Sequence, residues 1–344
     1  SEAGVNYLAT QFQAMRARTV FPSFDEPRFK IPFQFSFTVP KMFDVLAGTI
    51  IDKVEDKIDT KIHYFKQTKA INTDIIAFAI GRFERIKVTG LPVQSSVYVT
   101  PGKSEQALVM VDAIPKLFDK IQTYFDSDLP YQKLDFLVLP QYSGAGMENV
   151  GLVTLNENMV LFDPEVSKSS LYGMYQLLSH EIAHMWFGNW VTMCWWDDLW
   201  LNESFADWLA RKIVLTHFPE VGGELVLPQL DAFWEDGPQN PPIKREMKSA
   251  ADYNAVGQIV YSKGHALIAM VEQYVGEQAF RDAIRKYINR FKGSNVSYAE
   301  FIAYVEEHTN LELEEIFSSY LTQSGYPMIS LNLDGKSLKM SQQP

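Results

Sequence analysis

Two histidines four residues apart flank a glutamate in the run His180-Glu181-Ile182-Ala183-His184. On an α-helix this spacing puts both imidazoles on one face, a turn apart. Eighteen residues after His184, Asn202-Glu203-Ser204 opens a second helix-like run. Two imidazoles and a distant carboxylate hold zinc at three positions and leave a fourth for water. His180, His184 and Glu203 are therefore candidate metal ligands. Glu181 is the natural base for that water. Asp207, one turn beyond Glu203, is suited to orient a ligand imidazole. Zinc lowers the pKa of bound water to about 7 and polarises a carbonyl. Glu181 can take the water's proton and pass it to a leaving amine, so amide hydrolysis suits this set best. The alternative is a helix that carries His and Glu by chance. A carboxylate pair in a second helix weighs against it.

These residues need two helices to position them. The spacing predicts the first from near Ser169 or Ser170, with Leu171, Met174, Leu177, Leu178 and Ile182 facing inward. Trp195, Trp196 and Trp200 read as packing between the two helices. From about 203 to 323 the pattern is helical nearly throughout, with a loop at Pro238 to Pro242. Ser297-Tyr298-Ala299-Glu300 forms a capping box.

Residues 1 to about 100 read as β instead. Phe33, Phe35, Phe37 and Val39 alternate with polar residues, as in a strand with one buried face. Val93 to Thr100 alternates similarly, and short β-rich runs lie near 46–54, 60–66 and 73–88. The carboxylates of Phe24-Asp25-Glu26-Pro27 read as structural. Ser104 to Asp126 has helical spacing, with Leu108, Val111, Leu117, Phe118 and Ile121 as its face and a kink expected at Pro115. Leu134 to Leu139 reads as a strand. Gly144 to Asn149 reads as a flexible loop feeding a strand over Val150 to Leu155. That loop either brings backbone close to a ligand or is an ordinary turn. The tail, Leu331 to Met340 around Asp334-Gly335, reads as a hairpin.

With 344 residues, 47% apolar and 13% aromatic, the chain can build a large core. The net charge is −11 and no basic block appears, which argues against nucleic acid. The single cysteine, Cys194, excludes an internal disulfide framework and a cysteine-based zinc site. It leans towards a reducing compartment, hence the cytoplasm, the alternative being a membrane-anchored or secreted parent with a disulfide-free domain. No run approaches 18 apolar residues, so no membrane segment is expected. The opening Ser1-Glu2-Ala3-Gly4 carries no signal pattern. Asn295-Val296-Ser297 matches a glycosylation acceptor at a frequency expected by chance.

Taken together, these motifs resemble the zinc aminopeptidases of the aminopeptidase N family, gluzincins that include the leukotriene hydrolases. The resemblance is strongest over Leu178 to Ala210, through His-Glu-Ile-Ala-His, Trp-Phe-Gly-Asn and Asp-Leu-Trp-Leu-Asn-Glu. Ala145-Gly146-Met147-Glu148-Asn149 resembles the family's GAMEN motif. Thr10-Gln11-Phe12-Gln13, Phe24-Asp25-Glu26-Pro27, Tyr261-Ser262-Lys263-Gly264 and Gln323-Ser324-Gly325-Tyr326-Pro327 match as well. The resemblance implies an α+β multidomain fold. Its pieces would be the later part of a β-rich amino-terminal domain (1–90), a thermolysin-like zinc metallopeptidase domain (91–323) and the start of a small β-sandwich (324–344). A helical carboxy-terminal domain belongs to the family and is not in this sequence.

Carried over by motif, His180, His184 and Glu203 would bind one Zn2+ and Glu181 would be the general base. Tyr261 would donate to the oxyanion, the alternative being a half-buried helix tyrosine. Glu148 would hold the free α-ammonium of a peptide, with Gln11, Gln13, Ala145, Gly146, Met147 and Asn149 around the substrate. Many members carry Glu at the position of Gln13; the leukotriene hydrolases carry Gln. The two small residues of the GAMEN motif are swapped here, and Val150, Met185 and Cys194 also depart from the common pattern. Peptides with a free amino terminus are the expected partners. A thermolysin-type endopeptidase, an epoxide hydrolase and a catalytically weak binding module are the rival readings.

Overall fold

The computed structural model describes residues 7–163, 165–221, 236–237 and 240–343. The expectations for Ser1 to Gly4, for the helical run through 222–235 and for Pro238-Gln239 lie outside the described residues.

The first part of the chain is built from two three-stranded antiparallel sheets. One has the order β1 (Leu8–Ala9), β6 (Phe78–Gly81), β3 (Asp44–Ala47); the other β2 (Ser36–Pro40), β5 (Thr60–Phe65), β4 (Ile51–Asp56). Phe33, Phe35 and Phe37 stack in a row along the predicted apolar face, with ring centroids 6.1 and 6.0 Å apart. A five-stranded mixed sheet follows, in the order β10 (Gly146–Met147), β11 (Leu152–Asn156), β9 (Asp135–Leu139), β8 (Ser95–Val99), β7 (Glu84–Val88). Its central strand β9 is buried along its whole length and pairs in parallel with both neighbours, as a continuous apolar run predicts. Residues on either side of position 90 share this sheet, because β7 pairs with β8.

The expected loop at 144–149 is corrected in part. Gly146-Met147 forms an edge strand antiparallel to β11, with Gly146 opposite Leu155 and Met147 opposite Thr154. Leu46, Ala77 and Ala79 from the first part pack against Leu137, Leu139 and Leu152 of the five-stranded sheet. This apolar layer seats one β assembly on the other.

Helix α1 (Leu108–Phe125) covers that sheet. Its buried face differs from expectation. Leu108 is 55% exposed and Val111 half-buried, whereas Met110, Ala113, Ile114, Leu117, Phe118 and Ile121 are buried. The helix runs through Pro115 without interruption. After the short α2 (Glu157–Val160), α3 (Lys168–Ala183) starts on Ser167, whose hydroxyl accepts from the Ser170 amide. Met174, Leu178 and Ile182 are buried as predicted, and Leu171 and Leu177 half-buried. Beside α3 runs α4 (Trp200–His217), with thirteen of its eighteen residues buried. A helix buried on all sides belongs at the centre, and Trp196 and Trp200 are fully buried at its start.

Further helices complete this lobe: α5 (Ala250–Asn254), α6 (Ile259–Val275), α7 (Glu277–Phe291), α8 (Tyr298–Thr309) and α9 (Glu314–Thr322). The capping box at Ser297 and Glu300 is formed. Between α4 and α8, β12 (Thr192–Met193) pairs with β13 (Asn295–Val296). There the Asn295 amide donates to the carbonyls of Pro27 and Met193, so it is engaged within the fold. The tail forms the expected hairpin, β14 (Met328–Asp334) with β15 (Ser337–Gln343). Among the described residues, no helix is long and apolar enough to cross a membrane.

Candidate active site

The last turn of α3 and the first turns of α4 face each other across a cleft of about 600 Å³. His180, His184 and Glu203 offer ligand atoms that all lie within 4.8 Å of one another. Glu203 Oε2 is 3.3 Å from His180 Nε2 and 3.5 Å from His184 Nε2, and the two Nε2 atoms are 2.9 Å apart. His184 Nδ1 faces the Phe187 carbonyl at 3.0 Å, which places its proton there, and His180 Nδ1 lies 4.0 Å from Asp207 Oδ1. With both rings protonated on Nδ1, the two Nε2 lone pairs would point at each other beside a carboxylate. That donor set is satisfied by a cation between them and fits zinc.

The backbone supports this locally. Helix α3 ends at His184, and the chain reverses through Gly188 at φ +119°. A Cβ there would also approach His184 Nδ1 to 2.8 Å, so glycine is required twice over. Thr192 Oγ1 donates to the Gly188 carbonyl, and the Asn189 side chain donates 2.7 Å to the Glu148 carbonyl and 3.7 Å to Met185 Sδ. One turn thus holds both the His184 imidazole and the segment bearing Glu148, just past β10.

Glu181 is buried on the cleft wall beside Gly146. A Cβ on Gly146 would fall 2.1 Å from Glu181 Oε1, while Oε2 has no partner among the described residues. Burial and the nearby Glu148 charge push the Glu181 carboxyl well above the ordinary carboxylate value. Burial also raises Glu148. Burial opposes ionisation of Glu203, but His184 and His180 outweigh it and hold that carboxyl far below its usual value. Tyr261, near the start of α6, lines the same cleft, its ring centroid 5.9 Å from that of His180. Burial and Glu203 raise its phenol well above 10, so it remains a donor at neutral pH. Gly264, one turn on, lets α6 touch α4: a Cβ there would meet Ser204 Oγ at 1.9 Å. Ser204 in turn donates to the Val260 carbonyl at 2.7 Å.

At the far end of the cleft Gln13 Nε2 donates to Glu148 Oε1 at 3.3 Å. Gln11 also lines the cleft, and its buried Oε1 has no partner among the described residues. Ala145 and Gly146 line the wall, but Met147 and Asn149 do not: both are buried, and Asn149 donates to Thr154. Along this segment Gly146 and Glu148 line the cleft, while Met147 and Asn149 face the core.

Sequence reasoning missed several residues here. Tyr142, Gln176 and Arg211 line the cleft. Arg211 binds Asp207 at 3.0 Å, and His265 Nδ1 lies 3.6 Å from the same carboxylate. The four-residue spacing from Asp207 could have revealed Arg211. Lys30 had no local signal, yet its Nζ donates to the carbonyls of Asn189, Trp190 and Ser294 at 3.1–3.2 Å. Asp25, as expected, is structural. It accepts from Arg18 backbone and side chain, Ser23 and Thr73. A second cavity, near 520 Å³, holds the Lys263–Asp236 pair but, among the described residues, no ligand set.

The Peptidase family M1 domain matches residues 109–320, and the Peptidase M1 N-terminal domain matches residues 2–74. Probable aminopeptidase 1 of Sulfurisphaera tokodaii is 34% identical over 345 residues, which cover 98% of this chain and 44% of that protein. Aminopeptidase M1-B of Oryza sativa subsp. japonica is 33% identical, with 98% and 39% covered. Leucyl aminopeptidase of Saccharolobus solfataricus is 30% identical, with 98% and 43% covered. The chain spans less than half the length of these relatives. The ligand cluster, the α+β architecture and these matches agree, and the chain belongs to peptidase family M1.

Proposed function

We propose that the protein is a zinc-dependent aminopeptidase that hydrolyses the first peptide bond of peptides with a free amino terminus. The observation that carries this is the placement of Glu148 in the same cleft as His180, His184, Glu203 and Glu181. A buried carboxylate there has a use if the substrate brings a cation, and a peptide's α-ammonium is such a cation. Gln13 steadies that carboxylate and the orphan Gln11 oxygen offers a further acceptor. An endopeptidase would have no partner for this end of the cleft.

His180, His184 and Glu203 would hold the metal, with Asp207 orienting His180. When bound, zinc would polarise the scissile carbonyl and acidify the attacking water. Glu181 accepts that water's proton on its open oxygen and delivers it to the departing amine nitrogen. Tyr261 donates its hydroxyl to the carbonyl oxygen as charge builds there; losing one such donor typically costs about 100- to 1,000-fold in rate. Gly146 keeps the wall bare where Glu181 stands.

The same reading divides the chain at about 90 and 323 into amino-terminal β, catalytic and β-sandwich pieces, with β7 on the near side of the first boundary completing the five-stranded sheet on the far side. Relatives more than twice as long support a further helical domain as a partner within the same protein. The single cysteine supports a reducing compartment, hence the cytoplasm.

The test is a zinc-supplied digest of a peptide pool, half with free and half with acetylated amino termini, read by mass spectrometry. Stepwise shortening of only the free peptides is expected. Internal cuts in both halves would establish an endopeptidase instead. Glu181→Ala should abolish turnover while zinc content, measured by atomic absorption, stays at one per chain. Undiminished turnover in that variant would assign the base elsewhere.

A further inference from the structure

The cleft wall that carries Asp207 also carries a charge that the reaction above leaves unused, Arg211. Asp207 and Arg211 follow Glu203 at four and eight residues along α4, on one stripe of the helix. Helical side chains lean towards the amino terminus, so Arg211 folds back over Asp207. Both line the cleft, together with Gln176, Leu177 and Ser262. A peptide with its ammonium at Glu148 and its first carbonyl over His180 and Glu203 must extend its second residue towards this wall.

The two charges are not equally available. Asp207 is engaged on both oxygens: Oδ1 faces His180 Nδ1 at 4.0 Å, and Oδ2 faces Arg211 Nε at 3.0 Å and His265 Nδ1 at 3.6 Å. Arg211 has five N–H groups in a planar fork. Asp207 takes the Nε–H at 3.0 Å; Gln176 donates to Asp207 Oδ1 at 3.3 Å as placed, and with its amide turned its oxygen would accept from Nε and from one terminal N–H at 3.0 and 3.3 Å. The other terminal donors have no protein acceptor among the described contacts. Among the described residues that line the cleft, Arg211 is the one lysine or arginine, beside the carboxylates Glu148, Glu181, Glu203 and Asp207.

We propose that Arg211 is a specificity-determining residue that receives a carboxylate carried by the second residue of the substrate. Two sources supply that group: an acidic side chain at the second position, or the free α-carboxylate of a dipeptide. A planar fork with spare donors matches a carboxylate in either case. The neighbouring Asp207 cancels the net charge of the pair, so selection rests on the geometry of the spare N–H groups rather than on long-range attraction. The inference deepens the aminopeptidase reading and rests on it.

Four substrates decide it: Leu-Glu-amide, Leu-Gln-amide, Leu-Lys-amide and Leu-Gln as the free acid. The quantity read is the ratio of kcat/KM values within each enzyme, which a general loss of fold or zinc does not move. Wild type should favour Leu-Glu-amide over Leu-Gln-amide, or the free acid over its amide, by about tenfold. The first result assigns the side chain as the source and the second the main chain. Arg211→Gln should erase that preference, and Arg211→Lys should keep part of it. If Arg211→Gln proves unfolded, the wild-type and Arg211→Lys ratios decide alone. Equal wild-type rates for anionic and neutral substrates would overturn the proposal. So would a preference that survives Arg211→Gln, or a preference for Leu-Lys-amide that disappears in Asp207→Asn. Failure of wild type to cleave any of the four, with zinc bound, would instead sink the aminopeptidase reading beneath it.

Discussion

Gly264 is where α6 touches α4, and that contact sets the distance between Tyr261 and Glu203. A Cβ at Gly264 would lie 1.9 Å from Ser204 Oγ, 2.6 Å from Ser204 Cβ and 3.7 Å from Ser204 Cα. Turning the Ser204 side chain removes the first clash but not the second. Ordinary contact begins at 3.4 Å, so the helices must part by at least 3.4 − 2.6 = 0.8 Å. Overpacking of this kind costs about 1–3 kcal/mol. The shift also carries Tyr261 away from the ligands, and a displacement of about 1 Å can cost about 100-fold in rate. Gly264→Ala is therefore expected to lower stability by about 2 kcal/mol in urea unfolding. It should also reduce kcat by about 10- to 100-fold with zinc still bound.

The control is built into the geometry. Ser204→Gly removes both clashing atoms and leaves only the 3.7 Å contact. Alone it costs about 1 kcal/mol as a helical glycine. Combined with Gly264→Ala it should restore most of the stability and the rate. A double variant no better than the sum of the single changes would refute the reasoning, as would a Gly264→Ala enzyme of wild-type stability and speed.

Three other perturbations bear on the site and its support. Glu148→Ala should cut kcat/KM on free-amine peptides by about 100-fold, the loss of one buried charge partner; equal loss on acetylated substrates would remove the ammonium-anchor role. Gly146→Ala puts a methyl group 2.1 Å from Glu181 Oε1, so kcat should fall at least about tenfold without loss of zinc; an unchanged kcat would show that Glu181 has room to move. Asp25→Asn should destabilise the protein by about 1–3 kcal/mol at pH 7. Burial raises the Asp25 carboxyl, but hydrogen bonds from Arg18, Ser23 and Thr73 outweigh it and hold it below the ordinary value. Its stabilisation is then complete above about pH 4 and lost as pH falls through the lower folded value. The gap between variant and wild type in urea titrations should close in acid; a gap that widens would reverse the assignment.

What was legible in the sequence is what rests on local period. The stripe of α3, the ligand spacing, the capping box at Ser297 and the tail hairpin all follow from side chains a few residues apart. The face of α1 was misjudged because small Ala113 lies in the buried stripe while Leu108 opens the helix at its exposed edge. Met147 and Asn149 were assigned to the cleft by motif, although both face the core. The contacts that finish the site span long separations: Gln13 to Glu148 across 135 residues, and Lys30 to Asn189 across 159. No periodicity reports such pairs, because only the docking of one sheet on another creates them.

The segment bearing Glu148 hangs at a seam. The Val150 amide donates to the Ile75 carbonyl, Gln13 reaches the Glu148 carboxylate, and Asn189, in a turn tied down by Lys30, holds its backbone. On the proposed reading, the counting of residues from a peptide's end is a property of how two assemblies fit together, while the bond-breaking groups sit on α3, α4 and α6 of one of them. These functions are separately heritable. On that reading, substitutions at 10–30 or 71–76 would retune which first residue is accepted, or abolish the sense of an end altogether, and leave the hydrolytic groups untouched; the turn at 187–192 serves both, since it also holds His184. A lineage built this way can explore diets without relearning chemistry.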